Sequence, residues 1–277
     1  MHLLPFLTTV LPFMASLSSA TPVELATRQT TSKVAVGAVI NSCVVPGTIA
    51  LTFDDGPWDY THTLLDTLAE YNAVATFFLN GINKGSITSY PDILQRAVAE
   101  GHQLGSHTWS HPYLETLDHA AILSQMTLLE DEFVQILGYF PSYMRVPYLS
   151  SNDAILAAMA ELGYRVIGAS IDTKDYENDD AGLIWKSFEK FRLELDAGGS
   201  IVLSHDTHFY TVETLVDNML QEIRSRGLKA VTVAGVSEIQ ATGTALRDRR
   251  GWSRLNEEHK VRVAPRSFKH GKWVFYN

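Results

Sequence analysis

The sequence predicts an α/β fold built around a parallel sheet. Three observations lead there. Short β-rich apolar runs alternate with helix-periodic segments about seven times, the connections are short, and polar clusters recur at the same end of the apolar runs. In such folds strands deliver functional side chains at their C-terminal ends, whether the sheet is open or closed. Periodicity alone does not separate those two cases.

The elements follow in order. Ile49 to Phe53 reads as a strand and Tyr60 to Tyr71 as a helix with Leu64, Leu65 and Leu68 on one face. Val74 to Leu79 is a strand, Pro91 to Glu100 a helix ended by Gly101, and Gln103-Leu104 a short strand. Asp118 caps a long helix through Leu137, whose Ile122, Met126, Leu129, Phe133 and Ile136 recur at helical spacing before Gly138 stops it. Strand Tyr143 to Val146, helix Asp153 to Leu162, strand Arg165 to Gly168 and helix Leu183 to Leu195 come next. Strand Ser200 to Leu203, helix Val212 to Arg224 and strand Ala230 to Val233 complete the alternation, with no internal repeat.

Composition narrows the class. At 277 residues and 45% apolar content the chain is long enough to bury a full core. A net charge of −9 argues against nucleic acid or an anionic membrane as partner of the main body. Nine Lys/Arg and three Asp/Glu lie beyond Leu246, so residues 1–245 carry −15 and the end is basic. Residues 1–20, MHLLPFLTTVLPFMASLSSA, read as a secretory signal with Ser18 and Ala20 at the −3 and −1 positions of a cut. Residues 21–40 read as a linker or pro-segment, 41–240 as one catalytic domain, and 241–277 as an irregular basic tail. No later window is long and apolar enough to span a bilayer, so a secreted monomer, extracellular or in the cell wall, is expected. Its single cysteine, Cys43, is unusual for an exported protein.

Five polar clusters follow the apolar runs: TFDDGP, SHTWSH, RVPY, DTKDYEN and SHDTH. Neighbouring strand residues point to opposite faces, so Asp54 and Asp55 share one site only if the strand ends there and Gly56-Pro57 turns the backbone. Two carboxylates in one small volume call for a cation or an arginine. His107 and His111, four apart, would share a face if that stretch made a helical turn, with Cβ atoms about 5–6 Å apart. Two imidazoles and one carboxylate make a three-ligand metal site with a position left for water. Arg145 ends an apolar strand and needs an acid, with Asp54, Asp172 and Asp175 as candidates. His205, leaving a buried strand, suits general-acid work, whereas His208, His62, His102 and His119 read as ordinary structural histidines. These are the parts of metal-assisted hydrolysis. No G-x-S-x-G nucleophile and no glycine-rich phosphate loop is present.

In this order the five motifs resemble those of the polysaccharide deacetylase family, carbohydrate esterase family 4, with its NodB-homology domain. The resemblance spans roughly Val45 to Val233, and ATFFLNG, RVPYLS and DTKDYEN look most like secreted fungal chitin deacetylases. It implies a distorted (β/α) barrel and a metal, usually Zn2+, with Co2+ or another divalent ion as substitute, held by Asp55, His107 and His111. Asp54 would be the base, paired with Arg145. The Tyr148 N–H would stabilise the oxyanion, and His205, tuned by Asp175, would protonate the leaving amine. Leu203 and Tyr176 would line the acetyl-methyl pocket, Tyr176 standing where many relatives carry tryptophan. The implied reaction is hydrolysis of N-acetyl groups on chitin or chitooligosaccharides. The alternatives are an O-acetyl xylan esterase or peptidoglycan deacetylase with the same machinery, and a non-catalytic glycan-binding protein. A two-carboxylate glycosidase would leave the His107–His111 pair without a purpose. In related fungal enzymes a cysteine at the position of Cys43 pairs with one near the domain end, and no such cysteine follows Val233 here.

Overall fold

The computed structural model describes residues 36–235 and the backbone of 266–269 and 272–275. The expected signal segment, most of the linker and most of the basic tail lie outside the described residues. The first strand, β1 (Val39–Ile40), falls inside the segment expected to be linker. Then follow β2 (Thr48–Asp54), α1 (Thr61–Glu70), β3 (Thr76–Leu79), α2 (Pro91–Ala99), β4 (Gln103–Ser106), α3 (His119–Leu137) and β5 (Tyr143–Met144). The series continues through α4 (Asp153–Leu162), β6 (Arg165–Ile167), β7 (Ile171–Asp172), α5 (Ile184–Asp196), β8 (Ile201–His205), α6 (Val216–Ser225) and β9 (Lys229–Ala230). In the basic segment, where no regular structure was expected, β10 (Arg266–Lys269) and β11 (Lys272–Phe275) pair as an antiparallel hairpin.

The first nine strands form one parallel sheet in the order β1-β6-β5-β4-β3-β2-β8-β7, with β9 pairing the start of β2. The two ends, β1 and β7, do not pair with each other, which makes the sheet a distorted, incompletely closed (β/α) barrel. Strand alternation divides its two faces. Ile49, Leu51 and Phe53 of β2 pack outward with Leu64, Leu65 and Leu68 of α1 in the main core. Ala50 instead joins Phe78, Tyr143, Ile167 and Ile201 in a separate inner cluster. Thr52 and Asp54 share the parity of Ala50, so β2 delivers a carboxylate to the inside of the barrel at its last residue.

Helix ends follow the sequence signals. The Asp118 side chain accepts from the Ala121 N–H at 2.8 Å, and Gly138 closes α3 with φ 83°. Asn152 caps α4 by accepting from the Ile155 N–H. Strands β1 and β7, each two residues long, are too short to show a period, and the Ala230–Val233 strand shrinks to Lys229–Ala230. The helix expected from Val212 opens instead with a π-turn over Thr211–Leu215, a form common near functional sites.

Phe133 sits fully buried in the main core, so Phe133→Ala lowers unfolding free energy by about 3–5 kcal/mol. Gly138→Ala meets no steric neighbour but must hold a left-handed backbone, at a cost of about 1 kcal/mol. Urea denaturation of both variants measures this ranking, and equal midpoints would contradict it.

Candidate active site

The site begins with the turn after β2. Asp54 ends the strand and Asp55 adopts φ 75°, which swings the second carboxylate to the same side as the first. Gly56 is required there by close approach: a Cβ would lie 2.5 Å from the Asp206 carboxylate. Asp206 is fully buried, takes a hydrogen bond from the Thr61 hydroxyl, and leaves Oδ1 without a hydrogen-bond partner. Burial pushes its carboxyl up to about 7.

Asp54 is buried and paired with Arg145, whose Nη1 donates to Asp54 Oδ1 at 2.8 Å and to Thr52 Oγ1 at 2.6 Å. Of the three acids that could have served, the structure selects Asp54. The remaining donors of Arg145 reach the carbonyls of Ile167 and Gly168 at 3.2 and 2.7 Å, and its guanidinium lies over the Phe78 ring. Burial raises the Asp54 carboxyl above the usual range, and the charge of Arg145 opposes that rise.

Asp55, His107 and His111 converge, one ligand atom from each lying within 4.8 Å of the others. Asp55 Oδ1 is 3.3 Å from His111 Nε2 and 3.7 Å from His107 Nε2. Ligand atoms about 2.0–2.1 Å from a tetrahedral cation stand roughly 3.3–3.5 Å apart, so the donor set fits one ion. A further observation favours the fit: Asp55 Oδ1 is buried without a hydrogen-bond partner. His107 Nδ1 donates to the Arg145 carbonyl at 2.8 Å, which leaves Nε2 with a lone pair facing the carboxylates. Burial pushes His107 down to about 3 against the pull of Asp55, keeping it neutral as a ligand must be. The two histidines are not on a helical turn as expected. Thr108 and His111 take left-handed φ values of 73° and 56° in an irregular loop, and that loop brings the rings together with centroids 4.8 Å apart.

His205 ends β8, in register with Asp54 on the neighbouring strand. Its Nδ1 and backbone N–H both reach Asp175, at 2.8 and 2.6 Å. Asp175 is fully buried and also accepts from the Thr211 hydroxyl at 2.8 Å and the Tyr176 N–H. The π-turn thus presents Thr211 to Asp175. Burial alone would lower His205, but the Asp175 carboxylate overrides it and lifts the imidazole to about 9. Asp175 responds in kind, held below the ordinary carboxylate range by His205 against the effect of burial.

A cleft of about 390 Å³ joins these groups. Every residue given a catalytic, metal-holding or substrate-lining role from the sequence lines it or supports a residue that does: Arg145 and Asp175 lie behind Asp54 and His205, and Tyr148, Tyr176 and Leu203 are in the wall. The Tyr176 hydroxyl donates to Asp172 at 3.1 Å, and its ring stands edge-on to His205 with centroids 5.4 Å apart. The sequence reading missed His208. It lines the cleft rather than the core, with Nδ1 paired to Asp179 at 3.1 Å, and its place three residues after His205 was the available signal. His102 is a core histidine as expected, its Nδ1 accepting from the Ala75 N–H.

Comparison with known proteins agrees with this geometry. The profile of the family described as polysaccharide deacetylase matches residues 41–167. A chitin deacetylase of Pestalotiopsis sp is 50% identical over 220 residues, which cover 79% of this chain and 72% of that protein. The chain belongs to the polysaccharide deacetylase family. A chitin deacetylase of Colletotrichum lindemuthianum is 44% identical over 79% of this chain and 89% of its own length. The solved structure of the chitin deacetylase from that fungus superimposes with a TM-score of 0.73, over 74% of this chain and 94% of that one. A probable peptidoglycan-N-acetylglucosamine deacetylase of Arthroderma benhamiae is 52% identical, and there the match spans 47% of the relative.

The His205–Asp175 pair sets a pH signature. The folded-state pKa is raised, so its stabilisation is fully present below about 6.5 and fades as pH rises through about 9. In metal-free protein, NMR titration of the His205 ring gives a midpoint near 9, and Asp175→Asn lowers it markedly, because burial then acts without the opposing carboxylate. A wild-type midpoint of about 6.5 would contradict the pairing.

Proposed function

We propose that this chain hydrolyses the N-acetyl groups of N-acetylglucosamine units in chitin or chitooligosaccharides, releasing acetate and leaving glucosamine units. The observation that carries this reading is the pairing of two differently prepared groups side by side, at the ends of the neighbouring strands β2 and β8, in one cleft. Asp54, an acid with an arginine behind it, neighbours a histidine raised by a carboxylate, and a two-histidine, one-carboxylate donor set lies beside Asp54. Amide hydrolysis needs both: a base for the attacking water and an acid for the departing nitrogen.

Asp55, His107 and His111 would hold a divalent cation, Zn2+ in this proposal, with Co2+ or another divalent ion as substitute. When bound, such an ion supplies Lewis-acid polarisation of the carbonyl and lowers the pKa of water to about 7. The chain's own residues do the rest. Asp54 takes the proton of the attacking water, with Arg145 fixing its orientation and countering the cost of its burial. As the carbonyl carbon becomes tetrahedral, the Tyr148 N–H donates to its oxygen. The C–N bond then breaks, the electron pair stays on nitrogen, and His205 delivers its Nε2 proton there while Asp175 holds Nδ1. Leu203 and the Tyr176 ring enclose the methyl group of the departing acetate.

Two names among the relatives, chitin deacetylase and peptidoglycan-N-acetylglucosamine deacetylase, point to N-acetylglucosamine as the shared unit, and the chitin deacetylases of Pestalotiopsis and Colletotrichum are matched over 72% and 89% of their length, against 47% for the Arthroderma peptidoglycan enzyme. We place the protein outside the cell or in the wall, on the strength of its apolar, small-residue-terminated first twenty residues.

Mass spectrometry after incubation with N-acetylglucosamine oligomers, peptidoglycan or acetylated xylan, with and without chelator, tests the assignment. Acetate loss from the oligomers that stops with chelator is expected, and chain cleavage indifferent to chelator would overturn it. The division of roles has its own check. Asp54→Asn keeps its metal and loses about 10²–10⁴-fold in kcat, whereas His107→Ala loses both metal and turnover. Equal metal loss in the two variants would refute that division.

A further inference from the structure

At the rim of the cleft, the tightest aromatic contact among the described residues is that of Tyr113 with Tyr148. Their rings are stacked 3.7 Å apart at 9°, and Tyr148 in turn stands edge-on to His111 at 4.6 Å. The three rings form a continuous path from a residue of the donor set, past the cleft wall, to the surface. Buried packing does not account for this stack, since Tyr113 is 53% and Tyr148 51% exposed. Leu149, 43% exposed and also in the cleft wall, extends the apolar surface beside them.

Hydrogen bonds join the two loops that carry the platform. Tyr148 and Leu149 take left-handed φ values of 60° and 54°, a conformation that side chains other than glycine adopt only when neighbours enforce it. The enforcing contacts tie its two loops together. The Tyr148 hydroxyl donates to the His111 carbonyl at 3.4 Å, and Ser150 Oγ donates to Glu115 Oε1 at 2.5 Å. On the other loop, the Tyr113 carbonyl accepts from both the N–H and the hydroxyl of Thr116. A preordered aromatic surface of this kind loses little conformational entropy when a ligand covers it.

We propose that Tyr113 and Tyr148 form a stacking platform for a pyranose ring adjacent, in the same glycan chain, to the unit whose acetyl group enters the cleft. A pyranose presents axial C–H groups on a flat face and hydroxyls at its edge, and that combination suits an exposed tyrosine face next to water. Continuity with the cleft identifies the occupant: a chain whose acetylated unit reaches Asp54 and His205 and runs past Tyr148 lays a neighbouring ring against the stack. The inference rests on the glycan-deacetylase reading above. It adds that the enzyme prefers chains to short fragments, and that Tyr113 sets much of this preference.

Comparing a dimer with a hexamer of N-acetylglucosamine tests the platform. Tyr113→Ala should lower kcat/KM on the hexamer about tenfold, the equivalent of one aromatic contact, while lowering that on the dimer by less than about threefold. Tyr113→Phe, which keeps the ring, should restore chain preference. A binding arm works without turnover: calorimetry with Asp54→Asn should show tighter binding of the hexamer than of the dimer, and Tyr113→Ala added to it should remove that advantage. Equal losses on dimer and hexamer, or hexamer binding indifferent to Tyr113→Ala, would overturn the platform. Failure of wild-type protein to release acetate from either oligomer would instead strike the deacetylase reading, with the calorimetric arm still reporting on the stack.

Discussion

Arg145 is the largest fully buried side chain of the described fold, and a guanidinium cannot lie in a protein interior without partners for its charge and its donors. It finds them on strands far apart in the sheet. Thr52 and Asp54 belong to β2, the Ile167 and Gly168 carbonyls lie at the end of β6, and Phe78 comes from β3. Three strands separate β2 from β6 along the sheet, so the guanidinium reaches across the concave face of the barrel. Its own carbonyl accepts from His107 and sets that ring's tautomer. One residue therefore orients the carboxylate assigned to the base and the imidazole assigned to the ion, through different atoms. Removing the side chain would leave a buried carboxylate unpaired and a set of strand-end carbonyls unsatisfied.

Around this centre the loops carry the strain and the strands carry the order. Seven non-glycine residues of the described chain have positive φ, and all but Asn72 lie in the loops around the cleft. Left-handed backbone at such residues costs about 1–2 kcal/mol each, so its concentration here means that the surrounding contacts enforce it. At Asp55 it turns a strand-end pair of acids, which alternation would separate, toward one volume. The two acids then differ by environment: Asp54 meets a fixed cation, and Asp55 has an oxygen with no hydrogen-bond partner.

Much of this was legible in the sequence. The strand–helix alternation and the polar clusters after apolar runs placed the fold class and the rim, because burial and period are local properties. Asp118 and Gly138 marked the ends of α3 for the same reason. Shape at the site was less legible. His107 and His111 were expected on a helical turn because four-residue spacing suits one, but left-handed residues at Thr108 and His111 bring the rings together another way. Strands β1 and β7 have too few residues for a period, and their pairing comes from neighbours distant in sequence. His208 looked like core because its partner, Asp179, is 29 residues away, and Tyr113 drew no notice because stacking across two loops leaves no trace in either.

In the proposed mechanism neighbouring aspartates divide the labour, one for a cation and one, held by Arg145, for a proton. Anomalous diffraction from crystals of metal-loaded protein measures this division directly. The expected result is a single ion per chain contacted by Asp55, His107 and His111, with Asp54 still on Arg145 and outside the ligand set. An ion ligated by Asp54, or none near these residues in an active preparation, would contradict it.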